Sequence, residues 1–168
     1  GSKIMIGHSA SPDGNHYEIL RMLSNINPEY SIFLPLVYGD KEYSNLIKIE
    51  AQKRFKKLEI LEDKLDSNSY YQKLSEVGWA IINVKVQQGL GNIMGLIWMG
   101  AKVFLDENAS TYKDFHSWGI KIFSIQKELN KEGLSNKLTV DEVENNRRII
   151  QEKLNEKTVS EYWIQILY

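Results

Sequence analysis

Trp79-Ala80-Ile81-Ile82-Asn83, then Gln87-Gln88-Gly89-Leu90-Gly91-Asn92-Ile93-Met94-Gly95-Leu96-Ile97-Trp98-Met99-Gly100, then Lys102-Val103-Phe104-Leu105: this stretch decides the fold. The first and last runs are short, apolar and rich in β-branched and aromatic side chains, which reads as two strands. The segment between them is long enough for a loop and a helix, and two strands joined through a helix lie parallel. The helix opens on glycines and amides. Bare backbone N–H groups at a helix N-terminus suit an anion such as a diphosphate. The plainer alternative is packing alone, with Gly95 lying toward the sheet and Gly100 ending the helix. A nucleotide or nucleotide-sugar site is the first hypothesis.

The same alternation runs outward in both directions. Strands are expected at 3–7, 31–36, 58–61, 79–83, 102–105 and 120–124. Helices are expected at 14–26, 40–56, 68–77, 89–99, 109–117 and 139–155, with a last one at 159–167. Alternation of this kind predicts an α/β domain: a three-layer, Rossmann-like unit with a parallel sheet of about six strands and helices on both faces. Asp40 is placed to cap the second helix. Thr139-Val140-Asp141-Glu142 and Thr158-Val159-Ser160-Glu161 each match a capping box. In an open parallel sheet, ligands bind beyond the carboxyl ends of the strands. The loops to inspect therefore begin at Gly7, Val37, Leu61, Asn83, Asp106 and Ile125.

A chain of 168 residues can bury one substantial core. Its net charge of −1 gives no general attraction to nucleic acid. With no cysteine there is no disulfide framework and no thiolate chemistry. No apolar run approaches the ~20 residues that span a bilayer. Gly1-Ser2 looks like the remnant of a cleaved tag, and a strand follows at once. The expectation is a domain, residues 3–168, cut from a longer protein.

Gly7-His8-Ser9-Ala10-Ser11-Pro12-Asp13-Gly14-Asn15-His16, after the first strand, is dense in small and polar residues but lacks Gly-x-Gly-x-x-Gly. Ser9 and Ser11 can donate to phosphate, and His8 or His16 can do so as a cation or through a neutral ring N–H. The alternative is a turn followed by a helix cap. His8, His16 and His116 lack a metal-ligand pattern with a carboxylate, and no Walker lysine or Gly-x-Ser-x-Gly elbow is present. Lys48, Lys53, Arg54, Lys56 and Lys57 share a helix segment with Leu46, Ile47, Ile49 and Phe55. Such a run is a solvated face more often than a lipid contact. Trp98-Met99 and Tyr70-Tyr71 read as core packing.

Taken together, Ile6-Gly7-His8-Ser9-Ala10-Ser11-Pro12 with Asn15-His16, Leu34-Pro35-Leu36-Val37-Tyr38-Gly39-Asp40, and Gln87-Gln88-Gly89-Leu90-Gly91-Asn92-Ile93 resemble the C-terminal half of the 4-alpha-L-fucosyltransferase family, glycosyltransferase family 56. Order and spacing agree from about residue 3 to 126. The pattern departs at Lys85-Val86, which replace a basic pair, and at His8, which replaces a small polar residue.

The resemblance implies the donor domain of a two-domain GT-B enzyme, with the acceptor domain lying upstream. The family's known member transfers 4-acetamido-4,6-dideoxygalactose from a dTDP donor to a lipid-linked saccharide. By resemblance, this chain would hold a dTDP-sugar or related nucleotide-sugar that donates a (4-amino-)deoxyhexose, in polysaccharide biosynthesis of the enterobacterial common antigen type in a bacterium. Gly89, Leu90 and Gly91 would donate backbone N–H groups to the diphosphate. Gln88, Asn92, Lys85 and His16 would stand beside it, Ser9 and Ser11 would close on the phosphates, and the nucleobase would lie near Leu61 and Glu62. No metal and no cofactor are expected. The implied partners are the donor, the chain's own acceptor domain and a lipid-linked saccharide. The implied place is the cytoplasm, at the inner face of the cell membrane. The segment 139–167 looks like the one that packs back across the domain junction. The alternative is a non-catalytic nucleotide-binding or interaction domain of the same fold.

Overall fold

The computed structural model describes residues 1–155. Six parallel strands form one sheet: β1 (Lys3–Ile6), β2 (Ser31–Pro35), β3 (Lys57–Leu61), β4 (Val77–Ile82), β5 (Lys102–Leu105) and β6 (Phe123–Ser124). The helices are α1 (His16–Ile26), α2 (Lys41–Arg54), α3 (Ser67–Ser75), α4 (Leu90–Trp98), α5 (Ser110–Trp118), α6 (Ile125–Glu128) and α7 (Val140–Leu154). The strand order is β3-β2-β1-β4-β5-β6. The chain reverses its direction of travel between β1 and β4, so a crevice opens at their carboxyl ends. The loops leaving those two strands carry the small-residue segment and the glycine-led helix.

The strands are apolar runs because both faces are covered. Ile4, Ile6, Ile32, Leu34, Ile81 and Phe104 face one layer, against Ile19, Leu20 and Leu23 of α1 and Ile47 and Ala51 of α2. Met5, Phe33, Ala80, Ile82, Val103 and Leu105 face the other, against Leu74 of α3, Ile93, Leu96 and Ile97 of α4, Phe115 of α5 and Ile149 and Ile150 of α7. Only β3 alternates with charge. It is an edge strand, and its Glu59 pairs with Lys3 and with Lys73 (2.7 Å).

The caps match the sequence signals. Asp40 accepts from the backbone N–H of Tyr43 at 2.7 Å, and Thr139 and Glu142 close a capping box. Gly100, at φ +85°, ends α4, and the N–H of Ala101 reaches back to the carbonyl of Leu96 at 2.9 Å. The capping box and helix expected from Thr158 onward lie outside the described residues.

Four expectations are corrected. The last strand is two residues, not five; Ile120 and Ile122 are buried in irregular backbone instead. The four-residue helix Ile125–Glu128, capped by Ser124, was not foreseen. Gly95 does not face the sheet: a Cβ there would meet only Tyr71 Cε1 of α3, at 3.9 Å. Nor are Trp98 and Tyr71 core residues, being 40% and 52% exposed. Among the described residues no helix is long and apolar enough to cross a membrane.

Candidate functional site at the sheet's carboxyl edge

The loop after β1 is held from both sides. Gly7 turns at φ +67° and donates to the carbonyl of Ile81 on β4 at 2.9 Å. Ala10 pairs with the loop after β2: it donates to the carbonyl of Tyr38 at 2.6 Å and accepts from the N–H of Asp40 at 2.9 Å. The approach demands a bare residue at Gly39, whose Cβ would lie 2.4 Å from the carbonyl oxygen of Ala10. A single 3-10 turn, Pro12–Gly14, and Asn15 at φ 45° then lead into α1.

His16 begins that helix and is fully buried. Its ring lies under the loop, with Nε2 2.1 Å from where a Cβ on Gly7 would stand. Its Nδ1 lies 3.2 Å from the hydroxyl of Tyr43, while Nε2 has no partner among the described residues. Burial, aided by the neighbouring His8, lowers its pKa to about 4. The ring is enclosed, with Nδ1 against Tyr43 and Nε2 beneath Gly7, so it lies under the loop expected to meet phosphate. His16 supports the loop from beneath.

The second loop, after β4, runs through exposed Lys85 and Val86 and half-buried Gln88 to Gly89, which precedes α4 at φ +65°. A Cβ on Gly89 would lie 2.7 Å from Cγ of His8, so the imidazole abuts the helix start directly. A Cβ on Gly91 would meet nothing within 4 Å. The N–H groups of Leu90, Gly91 and Asn92 belong to the first turn, which has no intrahelical acceptor for them, and no side chain caps the helix. Ser9 and Ser11, in the loop after β1, are half-buried, their hydroxyls unpartnered among the described residues. Lys85 borders a shallow hollow with Pro12, Asp13 and Asn15.

Beside the helix start is a cleft of about 250 Å³ at the ends of β1, β2 and β3. Its apolar surfaces come from Pro35, Val37, Leu61 and Leu65, and its polar ones from His8, Lys64, Ser67, Tyr70 and Asn92. The Tyr70 hydroxyl donates to Oδ1 of Asn92 at 3.1 Å, tying α3 to α4 across the cleft. Leu61 lines this cleft. Glu62 is not in this cleft: it is exposed, pairs with Lys48 at 2.7 Å and borders a neighbouring hollow with Ala10 and Asp40. Sequence reasoning missed Lys64, Ser67 and Tyr70. The signal available was Asp66, which caps α3 by accepting from the N–H of Ser69 at 3.0 Å and so aims the first turn of that helix at the cleft.

The remaining candidates do not line this cleft. In the basic segment, Lys48 pairs with Glu62, Arg54 with Glu50, and Lys56 with Glu29. His116 is exposed and stacks on Tyr112 at 5.8 Å. Among the described residues, no three His, Cys, Asp or Glu side chains gather in one place.

Solved structures with the same architecture include AviGT4, a glycosyltransferase of avilamycin A biosynthesis, with a TM-score of 0.71 and 12% identity over 98% of this chain. The chain spans half the length of that protein. The N-terminal domain of Candida albicans trehalose-6-phosphate phosphatase matches with a TM-score of 0.63 and 12% identity, over 91% of this chain and 38% of that one. The catalytic domain of the cholesterol-alpha-glucosyltransferase of Helicobacter pylori matches with a TM-score of 0.60 and 16% identity, over 92% of this chain and 99% of that one. At such identities the likeness establishes the fold. No curated protein matches the sequence itself. The family model for the 4-alpha-L-fucosyltransferases, glycosyl transferase group 56, matches residues 2–155. That match takes in both site loops and every described element, and the chain belongs to this glycosyltransferase family.

Proposed function

We propose that this chain is the nucleotide-sugar-binding half of a GT-B glycosyltransferase that moves a (4-amino-)deoxyhexose from a dTDP-sugar to a lipid-linked or polysaccharide acceptor. The observation that carries it is the open first turn of α4 beside the cleft that contains Leu61. A cleft with apolar faces and a few polar groups suits a flat base and a ribose, and a bare helix start next to it suits the diphosphate.

Departure of the sugar leaves negative charge on the diphosphate. In this reading the α4 N-terminus stabilises that charge, with the N–H groups of Leu90 and Gly91 as donors. Ser9 and Ser11 close on the phosphates from the β1 loop, and Gln88 and Asn92 contribute amide groups. Lys85, the single base near the two glutamines, supplies charge at longer range. The site is proposed to work without a metal ion or cofactor. The acceptor and its base come from a second domain, and contact with the inner face of the membrane follows from the lipid-linked acceptor.

Calorimetric titration of the chain with dTDP, UDP and GDP tests the reading. Binding of a pyrimidine nucleoside diphosphate at micromolar to millimolar levels is expected. Indifference to all three would end it.

A further inference from the structure

We propose that His8 is a donor-contact residue whose imidazole Nε2–H donates to the phosphate nearest the nucleoside. This inference rests on the donor-site reading above. His8 occupies the wall that separates the cleft from the helix start. One side of its ring borders the cleft, while Cγ stands 2.7 Å from where a Cβ on Gly89 would be. A ligand with its base in the cleft and its diphosphate on α4 must pass this ring.

Among the described residues no hydrogen bond holds the ring. Nδ1 is enclosed and has no partner among the described residues. An enclosed nitrogen without a partner is better tolerated as a bare acceptor than as an N–H, because an orphaned donor is the rarer and costlier defect. The neutral ring therefore carries its proton on Nε2. Burial keeps the ring neutral by disfavouring the imidazolium. The remaining nitrogen is a donor, and a donor in this place matches an anionic oxygen rather than an N–H of a base. The bareness of Gly89 then has two uses: it permits φ +65° and it leaves room for the imidazole.

Two substitutions separate contact from packing. His8→Phe keeps a flat ring against Gly89 and removes the donor. His8→Gln restores a donor on a different frame. The probes are dTDP, UDP and the nucleosides thymidine and uridine, measured with thermal melts on each variant. His8→Phe should weaken the better nucleoside diphosphate roughly 10-fold or more, leaving the matching nucleoside and the melting temperature unchanged. His8→Gln should recover part of the loss. Undiminished diphosphate binding by His8→Phe overturns the proposal, as does an equal loss of nucleoside and diphosphate. Failure of the donor-site reading looks different, since the unaltered chain would then bind neither dTDP nor UDP.

Discussion

His16 and Gly91 show how much a single position decides at this site. His16 titrates near 4 in the fold and near 6.5 in an unfolded chain. Between those values the unfolded chain takes up a proton that the folded chain refuses. Stability is thus lost as the pH falls below about 6.5, and the loss levels off below about 4. Between pH 7.5 and pH 5 the loss from this residue should be about 2 kcal/mol. Urea unfolding at the two values, on the parent and on His16→Gln, isolates it; equal pH dependence in both proteins would count against the assignment. Gly91 is the opposite case, a position where nothing is nearby. Gly91→Val should fold normally, because its side chain enters open space. That space is where the phosphate is proposed to sit. Losing one or two charge-assisted N–H contacts should cost about 1.5–3 kcal/mol each. Parent-like affinity for dTDP in Gly91→Val would remove the helix start from the donor site. The sequence did not disclose the burial of His16: Asn-His before a helical pattern looks like an exposed cap, while in the fold its ring lies between Tyr43 of α2 and the bare backbone of Gly7 and Gly14, each of whose Cβ positions would meet it.

At the scale of elements, the sequence was most legible where packing is two-sided. β1, β2, β4 and β5 are apolar runs because helices cover both faces, and Asp40 and Thr139 mark helix starts through hydrogen bonds that their side chains alone can make. Legibility failed for β6, whose two residues are too few for a period of two, while Ile120 and Ile122 gave an apolar run without pairing. It failed also for the facing of α4. Leu90, Ile93, Met94, Leu96, Ile97 and Trp98 are apolar nearly all round, so periodicity does not say which side meets the sheet. The structure turns Ile93, Leu96 and Ile97 inward and Gly95 toward Tyr71. An added methyl group there makes ordinary contact at 3.9 Å and removes glycine's freedom in the unfolded chain. Gly95→Ala should therefore raise stability by about 0.5–1 kcal/mol. A fall in denaturation midpoint would restore the idea that this glycine is needed for close packing.

At the scale of the molecule, the closing helix and the site are parts of one object. α7 lies against α4: Arg147 donates to the carbonyl of Trp98 at 2.7 Å, and Val143 stands 3.2 Å from where a Cβ on Gly100 would be. The far side of α7 reaches the approach to β6 through Asn146, which is fully buried, accepts from the N–H of Lys121 at 2.7 Å and donates to its carbonyl at 3.2 Å. The helix proposed to present the phosphate donors is thus clamped at its carboxyl end, while a Cβ on Gly91 at its amino end would meet nothing within 4 Å. On the proposed reading the donor groups all belong to this chain, so ligand binding needs no second domain, but chemistry also needs an acceptor hydroxyl, positioned and stripped of its proton. In the two-domain reading those groups come from elsewhere. The 168-residue chain should bind dTDP, and its melting temperature should rise with ligand concentration, following RT ln(1 + L/Kd) with L the free ligand concentration, and continuing beyond saturation of the site. It should not transfer sugar to a lipid-linked saccharide, because proximity and proton removal together supply much of the rate. Turnover is measured with a dTDP-deoxyhexose and a lipid-linked acceptor. Multiple turnovers by this chain alone would show that its own loops hold the acceptor, and would place the catalytic base on the carboxyl edge described here.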